Sequence, residues 1–367
     1  MSLRTVTADE ALRQLDDGAV LDVRSPGEFA LDHMPHALNW PVLDDAQRAR
    51  VGILYKHEGA FEAKKVGAAL VARNIAIHLE REGSGLARDW APLVYCWRGG
   101  SRSGAMAHVL SQVGFRVTLV EGGYKALRAA LVRDIERITN GLTLRVLCGP
   151  TGCGKSRLLQ ALADRGAQVL DLEALAAHRG SVLGALPGQA QPPQKLFETR
   201  VWDQLRHFDP TRPVWVESES RKIGQLHVPG ALLERMRAGA CVRLEASPGV
   251  RVAILLEDYA ALTRDPDELQ RRLDMLTELR GRQTIARWRA LIEAGAFAEL
   301  VEELLQQHYD PSYDASIRRN YGGVDQAPTL TVDAPEAFAD LAASLCETQI
   351  RTADSSPTAH GVQHTLE

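Results

Sequence analysis

The glycine-rich segment at residues 149–156, GPTGCGKS, constrains the fold more than any other stretch of this chain. It matches the pattern G-x-x-x-x-G-K-S, whose backbone N–H groups wrap around phosphate oxygens. The apolar run at 142–148 predicts a buried strand directly before it, and residues 157–164 predict a helix that stops at Gly166. A strand, a loop and a helix in this order direct the helix N-terminus at one anion. The sequence therefore predicts an α/β domain with a phosphate or diphosphate site.

The residues of this phosphate-binding loop have distinct expected roles. Lys155 would neutralise the terminal phosphates, and the hydroxyl of Ser156 would face a Mg2+ ion. Cys153 lies within the loop, where small residues are common, so no direct chemistry is expected from its thiol. The motif does not say whether the ligand is a nucleotide or another diphosphate. The residues predicted to bind the phosphates are Gly149, Thr151, Gly152, Cys153, Gly154, Lys155 and Ser156.

Two further strand candidates in this domain end in a carboxylate. The apolar runs at 168–171 and 212–217 end in Asp171 and Glu217. The carboxyl ends of parallel strands share one edge of a sheet, so either side chain can lie beside the bound phosphates and a Mg2+ ion. Glu217 is the better candidate because a polar segment follows it directly. The alternative is that each carboxylate only caps the local backbone.

The last part of the domain is predicted to be helical and rich in arginine. Between residues 267 and 306, apolar residues recur three and four positions apart. Such a charge run is usually a solvated helix face, and the alternative is a surface that follows RNA phosphates. Because the net charge is −4, any nucleic-acid surface has to be a local patch of this kind. The candidates for contact with RNA are Arg271, Arg272, Arg280, Arg282, Arg287 and Arg289.

A second loop, at residues 95–103 (YCWRGGSRS), places one thiol between a predicted strand and a predicted helix. The loop amides, the helix N-terminus and two arginines favour the thiolate of Cys96, which is the reactive form. Arg98 and Arg102 are catalytic candidates together with Cys96, and Arg102 is expected to hold an oxyanion through its planar guanidinium. The alternatives are an inert buried cysteine and ordinary surface arginines.

The region around this loop resembles a rhodanese domain across its whole length. The resemblance rests on DVRSPGEF at 22–29, HMPHALNWP at 33–41, the Cys96 loop and EGG at 121–123. It implies a parallel α/β sheet, as does the alternation of strand and helix patterns before residue 135. Two features depart from the family pattern: His36 stands where glycine is usual, and Arg102 lies six residues after Cys96 instead of five. The wider spacing is shared with rhodanese-fold phosphatases, and a larger loop can seat a tetrahedral phosphate.

The combination of both domains in one chain resembles the bacterial tRNA 2-selenouridine synthases, up to about residue 345. The blocks that distinguish this family are DLE at 171–173, HRGS at 178–181, QKLFE at 194–198 and VESESRKIG at 216–224. The implied fold class is α/β, with an N-terminal rhodanese-like parallel-sheet domain followed by a P-loop α/β domain with a helical C-terminal extension. The implied boundaries are 1–138 for the first domain and 139–350 for the second, with a disordered tail predicted at 351–367.

The resemblance implies the conversion of 2-thiouridine at wobble position 34 of tRNA to 2-selenouridine through an S-geranyl-2-thiouridine intermediate. The implied substrates are geranyl diphosphate and selenophosphate, and a selenophosphate synthetase is a candidate partner beside the tRNA. Cys96 would attack or receive the selenium of selenophosphate, while Lys155 and the phosphate-binding loop would hold the diphosphate. Which tRNAs are used, and whether geranylation or selenation dominates, stays open.

Two other functions remain compatible with parts of the sequence. One is a rhodanese-fold C-x5-R phosphatase or arsenate reductase, which the spacing from Cys96 to Arg102 favours but which leaves the second domain without a role. The other is a nucleotide-switched binding protein whose rhodanese module only docks a partner. The presence of both Cys96 and Arg102 argues against the docking module, since docking does not need a nucleophile.

The remaining composition indicates a cytoplasmic protein without a resident cofactor. Five scattered cysteines do not form a disulfide framework or a paired metal motif, and His33 and His36 lack partners at metal-ligand spacing. No apolar run approaches the roughly 18 residues of a membrane span, and no targeting signal is recognised. Beyond Mg2+ at the phosphate-binding loop, no metal and no tightly bound cofactor are expected, and neither oligomeric state nor interdomain geometry is predicted.

Overall fold

The computed structural model describes residues 3–354, with side chains as far as residue 347. The chain forms two compact units. One consists of the residues up to Asn140 together with Gln191–His207, and the other of Gly141–Ala190 and the residues from Phe208 onward. The boundary predicted at 138/139 lies close to this division. Residues 191–207, however, were predicted in the second domain and instead pack in the first unit.

The first unit is built on a five-stranded parallel sheet with the strand order β1-β5-β4-β2-β3. In chain order its elements are β1 Leu3–Val6, α1 Ala8–Arg13, β2 Val20–Asp22, α2 Pro26–Leu31, β3 Ala37–Asn39, α3 Asp45–His57, α4 Ala60–Glu82, β4 Leu93–Tyr95, α5 Ser101–Val113, β5 Val117–Val120 and α6 Gly123–Gly141. Helices separate neighbouring strands in the sequence, which parallel pairing requires. The predicted rhodanese-like parallel sheet is confirmed.

Local sequence signals explain where several of these elements begin. Ser25 precedes α2 and forms a capping box with Glu28, and Pro26 occupies the first helical turn. His36 has a φ of 57°, a left-handed conformation that favours glycine, which gives a physical reason for the glycine usual at this position. The core beneath the helices contains buried apolar side chains from strands and helices alike, among them Val94, Met106, Leu110, Ile75 and Val117.

Helix α9, Gln194–Leu205, belongs to the first unit although the chain reaches it from the second. Its Thr199 hydroxyl donates to Asp32 Oδ1 at 2.8 Å, and the Trp202 indole N–H donates to Asp134 Oδ2 at 2.9 Å. Glu198 forms an ion pair with Arg128 of α6. Trp202 and Asp32 are almost completely buried, so these contacts form part of the folded core of the unit.

The second unit contains another five-stranded parallel sheet, ordered β12-β11-β6-β8-β7, and a short antiparallel pair, β9 with β10. Its elements up to β11 are β6 Leu144–Cys148, the central strand of the sheet, α7 Lys155–Asp164, β7 Gln168–Leu170, α8 Leu172–Ala176, β8 Val214–Glu217, β9 Lys222–Ile223, β10 Leu226–His227, α10 Gly230–Arg237 and β11 Ala240–Ala246. The phosphate-binding loop connects β6 to α7, as predicted, and the α/β fold class is confirmed.

The region predicted as one helical pattern from 267 to 306 consists of several short helices. The elements after β11 are α11 Pro248–Asp258, α12 Ala260–Thr263, α13 Pro266–Asp274, α14 Thr277–Arg280, α15 Arg282–Glu293, α16 Phe297–Leu304, α17 Asp310–Asn320, β12 Thr329–Val332 and α18 Phe338–Asp354. Gly281 and Gly295 interrupt the pattern with φ values of 84° and 69°. A π-helical turn, Leu305–Tyr309, joins α16 to α17.

The tail predicted at 351–367 lies outside the described residues, except for 351–354, which end α18. Within residues 3–354, no helix combines the length and the apolar character needed to cross a membrane.

Candidate active sites

The first candidate site is the loop that follows β4. Cys96 lies at its floor with 3% of its surface exposed, and the Ser103 hydroxyl donates to the Cys96 Sγ at 3.1 Å. Burial raises the pKa of the Cys96 thiol, but the Ser103 hydroxyl and the N–H groups of Ser103, Gly100 and Arg98 outweigh it and lower the pKa below its ordinary value. The loop therefore stabilises a thiolate, the state expected from the sequence.

Close backbone contacts fix the shape of this loop. A side chain at Gly99 would place its Cβ 2.7 Å from the Val120 carbonyl oxygen, and one at Gly123 would lie 2.3 Å from the Cys96 carbonyl oxygen. Tyr124 N–H donates to that same Cys96 oxygen at 2.7 Å. The Glu121-Gly122-Gly123 segment is therefore the support of the cysteine loop, and glycine is required where the two backbones meet.

Arg102 contacts a carboxylate that the sequence did not reveal as a partner. Its Nη1 lies 2.8 Å from Glu28 Oε2, and Glu28, 8% exposed, also accepts from the Ser25 backbone N–H at 3.2 Å. Burial raises the pKa of Glu28, but Arg102 outweighs it and lowers the pKa, so this carboxylate stays ionised. Anion binding by Arg102 stays a prediction. Arg98 is exposed and makes no ion pair among the residues whose side chains are described.

Aromatic and polar residues line one side of the cysteine loop. Trp97 stacks on Tyr124 with ring centroids 5.3 Å apart, and the Tyr124 hydroxyl donates to Asp32 Oδ2 at 2.7 Å. The other oxygen of Asp32 accepts from Thr199 of α9. The cysteine loop is thus linked through Asp32 to a helix that lies about a hundred residues further along the chain. The QKLFE block was the available signal for this helix, but nothing in it indicated its position.

The second candidate site is a cavity of about 330 Å3 at the phosphate-binding loop. Lys155 Nζ donates to the Gly149 carbonyl at 3.0 Å, and the Ser156 hydroxyl donates to Glu173 at 3.3 Å and to Glu217 at 3.4 Å. Burial disfavours the charged amine, but neighbouring acidic groups raise the pKa of Lys155 above its ordinary value, so it carries a positive charge. The cavity is lined by Thr151, Gly152, Gly154, Lys155 and Ser156 of the predicted set.

Gly154 and Cys153 of the phosphate-binding loop pack against the core of the unit. Gly154 has a φ of 84°, and a Cβ there would lie 2.1 Å from the Phe338 ring. Cys153 is fully buried, and burial raises the pKa of its thiol. A buried neutral thiol fits the expectation that Cys153 packs and does not react.

Three glutamates gather on one side of the cavity, and only Glu217 was among the candidates. Carboxylate oxygens of Glu173, Glu217 and Glu219 all lie within 4.8 Å of one another. Burial, followed by the charge of the neighbouring carboxylates, raises the pKa of Glu173 and of Glu219 to about 8 and that of Glu217 well above its ordinary value. Glu217 is 1% exposed, and its Oε1 has no hydrogen-bond partner. Three clustered carboxylates with a free buried oxygen are donors suited to a hard divalent cation.

Asp171 does not belong to this cluster. Its Oδ1 accepts from the Ala174 backbone N–H at 2.8 Å, which makes Asp171 the N-cap of α8. The capping alternative therefore applies to Asp171, and Glu173, in the first turn of that helix, faces Ser156 in its place.

A narrow apolar cavity of about 50 Å3 adjoins the phosphate cavity. The two cavities share the wall residues Thr151, Leu255, Tyr259 and Tyr309. The other lining residues are almost all aliphatic or aromatic: Leu183, Leu256, Leu262, Thr263, Leu269, Phe297, Leu300, Val301, Leu304 and Leu305. They come from four helices, the π-helical turn and a loop, so no single stretch of sequence could predict the cavity.

The arginine-rich region is largely an ion-paired helix face, and contact of its arginines with RNA stays a prediction. Arg271, Arg287 and Arg289 pair with carboxylates at 2.8, 2.5 and 3.2 Å. Arg272 is buried and donates to two backbone carbonyls as well as to Glu268, and Arg280 donates to His308 Nδ1. Of the six candidates for RNA contact, Arg282 alone lacks such a partner within the described residues.

Similar proteins cover both units. Residues 7–130 match the family model for the rhodanese-like domain, and residues 142–270 match the tRNA 2-selenouridine synthase AAA domain. The tRNA 2-selenouridine synthase of Alcanivorax borkumensis is 33% identical over 354 residues, covering 88% of this chain and 96% of that protein. The synthase of Marinobacter nauticus is 32% identical and covers 95% of this chain and all of its own, and that of Cupriavidus necator is 40% identical and covers 70% of each.

The fold and its two candidate sites define a class of protein in which a rhodanese-like unit with a cysteine loop is joined to a unit with a P-loop motif. The relatives fix the place within that class. The chain belongs to the tRNA 2-selenouridine synthase family.

Proposed function

We propose that this chain is a transferase that converts 2-thiouridine at wobble position 34 of tRNA to 2-selenouridine in two steps. A geranyl group is first transferred from geranyl diphosphate to the sulfur, and selenium from selenophosphate then displaces the S-geranyl group. Family membership supports the overall reaction, and the presence of one thiol-bearing and one lysine-bearing anion site supports two separate steps.

The observation that carries the first step is the contact between the two cavities of the second unit. A charged loop beside an apolar channel suits a ligand with a diphosphate head and a hydrocarbon tail, whose burial is favourable by about 0.8 kcal/mol per CH2 group. A ribose or a base would bring polar groups against leucine and phenylalanine side chains, at a cost in unmade hydrogen bonds. The apolar lining therefore favours geranyl diphosphate over a nucleotide, and the cavity of about 50 Å3 would have to widen to hold the whole geranyl chain.

The first step requires a leaving diphosphate. The bond between C1 of the geranyl group and oxygen breaks, the diphosphate leaves with the electron pair, and the thiouridine sulfur forms the new bond to C1. Lys155 and the N–H groups of the phosphate-binding loop stabilise the negative charge that develops on the departing oxygen. Alkylation also turns the sulfur into a good leaving group, which the second step needs.

Mg2+ is proposed as the counter-ion of that diphosphate. Glu173, Glu217 and Glu219 with the Ser156 hydroxyl supply the oxygen donors, and the Oε1 of Glu217 is without another partner. When bound, the ion would supply positive charge to the diphosphate and would compensate three carboxylates whose mutual repulsion is otherwise unfavourable.

Mg2+ is expected to stabilise the full-length protein in the absence of any substrate. At saturation the melting temperature should rise by about 3 °C or more, because the ion binds the folded state alone. Glu217→Gln should remove this rise, whereas Glu278→Gln, an exposed glutamate of α14, should retain it. Differential scanning fluorimetry over a Mg2+ titration measures both. An equal rise in wild type and Glu217→Gln would place the ion elsewhere.

The apolar cavity is expected to make KM depend on the length of the prenyl chain of the donor. Val301→Phe places a larger side chain in the wall of this cavity. It should raise KM for geranyl diphosphate about tenfold, since the larger ring would exclude several CH2 groups of the geranyl tail from the cavity. KM for the five-carbon dimethylallyl diphosphate should change less than twofold. Val182→Phe, at an exposed valine, is the matched control. Initial rates of prenyl transfer to tRNA decide this, and equal losses with both donors would contradict a tail site here.

The whole reaction is tested by incubating the purified protein with 2-thiouridine tRNA, geranyl diphosphate and selenophosphate. Mass spectrometry of the digested nucleosides should show S-geranyl-2-thiouridine first and 2-selenouridine later. An active preparation that yields neither nucleoside would disprove the proposal.

A further inference from the structure

We propose that the Cys96 thiolate attacks the phosphorus of selenophosphate and not its selenium. The step rests on the proposed function, and it deepens it by assigning a phosphoryl-transfer activity to the cysteine loop. The sulfur–phosphorus bond forms as the phosphorus–selenium bond breaks, and selenium departs with the bonding pair as hydrogen selenide. Water then cleaves the phosphocysteine to phosphate and regenerates the thiol.

The loop has the shape that this reaction needs. Arg102 lies six residues after Cys96, and the N–H groups of Arg98, Gly100 and Ser103 are directed at the sulfur. Three donors around a nucleophilic atom can hold three phosphoryl oxygens while the nucleophile approaches the phosphorus between them. A selenium atom attacked from the same position offers a single atom without oxygens and leaves these donors unused.

Ser103 serves the second half of the reaction. Its hydroxyl donates to the Cys96 sulfur at 3.1 Å, so it stabilises the thiolate that must leave when water attacks the phosphocysteine. The same bond stabilises the attacking thiolate at the start. This arrangement matches a nucleophile that has to be both added and expelled.

Electron balance favours phosphorus as the point of attack. Thiolate attack on selenium would leave the electron pair on phosphorus, giving phosphite and a cysteine perselenide. Displacement of the S-geranyl group by that perselenide would join Cys96 to the uridine through a sulfur–selenium bond, which only an added reductant could open. Attack on phosphorus is free of redox change, because hydrogen selenide displaces geranylthiol from C2 of the uridine directly.

The test follows two radioactive labels on the full-length protein during turnover. With 32P-selenophosphate, label is expected on Cys96 after an acid quench, and with 75Se-selenophosphate no covalent label is expected there. Ser103→Ala should lengthen the lifetime of the 32P adduct at least fivefold, and Cys96→Ala should abolish it. Phosphate, not phosphite, is the expected product by 31P NMR.

Each outcome separates this inference from the proposed function. Absence of 32P on Cys96 in a preparation that makes 2-selenouridine overturns phosphorus attack, whether or not 75Se is bound. If the same preparation makes no modified nucleoside at all, the proposed function itself fails. Appearance of phosphite together with 75Se on Cys96 would establish the perselenide route.

An independent surface of the first unit has the composition of an RNA contact. The tip where α3 turns into α4 carries the two exposed aromatic side chains of residues 3–347, Phe61 at 72% and Tyr55 at 60% exposure. No residue of α3 is buried, although the helix has 13 residues. α4 packs on the core of the unit through residues such as Ile75, so the exposed rings lie at the tip away from that contact, where they mark a surface for a partner.

The charges at this tip point to a polyanion. Residues 50–65 contain four lysines and arginines against two glutamates, in a chain whose net charge is −4. Arg50, Lys56 and Lys64 are exposed and make no ion pair among the described residues, unlike the arginines of α13 to α15. Rings that stack on unpaired bases beside cations that contact phosphates suit an exposed loop of tRNA. We infer that this tip docks the tRNA, an assignment that also rests on the proposed function.

Charge reversal tests the tip. Lys56→Glu with Lys64→Glu should raise Kd for tRNA at least tenfold and lower the slope of log Kd against log salt by about two. The matched reversal Arg271→Glu with Arg289→Glu, at two ion-paired arginines, should change Kd less than twofold. Tyr55→Ala with Phe61→Ala should weaken binding at least fivefold while the alkylation rate of Cys96 stays constant, which shows an intact fold.

Two results would overturn the docking assignment. The first is unchanged tRNA affinity in both tip variants when wild type binds tRNA. The second is a tip variant that dissociates an oligomer in sedimentation without loss of RNA binding, which would make the tip an interface between copies of this chain. A wild type that binds no tRNA would instead contradict the proposed function.

Discussion

Lys155→Ala is expected to lower the rate of geranyl transfer to 2-thiouridine tRNA by roughly 10²- to 10³-fold, the usual effect of removing one donor from a leaving oxyanion in a sheltered site. Lys155 is charged, and its amine reaches the Gly149 carbonyl at the cavity wall, where the diphosphate would displace it. The loss should fall on the rate of the chemical step, because charge on the departing diphosphate is greatest in the transition state.

The control separates the two half-reactions. When tRNA that already carries S-geranyl-2-thiouridine is supplied with selenophosphate, Lys155→Ala should form 2-selenouridine at a rate within twofold of wild type. Cys153→Ala, in the same loop but fully buried, should keep most of the geranyl transfer. Single-turnover rates by nucleoside mass spectrometry measure all three. Equal loss of both half-reactions in Lys155→Ala would refute separate sites for geranyl and selenium transfer.

What the sequence could predict was the local part of each site. The phosphate-binding loop and the cysteine loop are continuous segments, in which spacing and glycine positions determine the backbone, and both lie between a strand and a helix as expected. The α/β class followed from the same alternation of patterns, and the family followed from continuous blocks of residues.

What the sequence could not predict was which side chains meet across the fold. Glu173 joins Glu217 and Glu219 because β7 and β8 are neighbours in the sheet. Glu173 and Glu219 each lie two residues after the carboxylate that the sequence singled out, Asp171 or Glu217. Arg102 and Glu28 are 74 positions apart, and their ion pair depends on the packing of α2 beside the cysteine loop. Pattern and spacing describe one segment at a time, so they do not predict pairs of side chains from different segments.

The arginines of α13 to α15 and the residues of helix α9 are two further examples of contacts that the sequence does not predict. For the arginine run, the sequence left both a solvated helix face and an RNA-contacting surface open, because acidic partners such as Glu299 and Glu303 lie on another helix. Helix α9 looked like part of the second domain because its neighbours in the chain belong there, whereas Thr199 and Trp202 hydrogen bond into the first unit. In both cases the side chains contact residues that are distant in the sequence.

Cys96→Ala is expected to lower selenium transfer by roughly 10⁴-fold or more, the effect of removing a covalent nucleophile, while geranyl transfer stays within twofold of wild type. The thiol is buried in a loop whose Ser103 hydroxyl and backbone N–H groups lower its pKa, whereas burial raises the pKa of the Cys153 thiol in the other loop. S-geranyl-2-thiouridine should therefore accumulate in the variant. Cys346→Ser, at a partly buried cysteine of α18, is the matched control and should leave both half-reactions unchanged. The measurement is the ratio of geranylated to selenium-containing nucleoside over time.

Full selenium transfer by Cys96→Ala would mean that selenophosphate reacts with the uridine without a covalent enzyme intermediate. The loop around Cys96 would then have to serve anion binding alone.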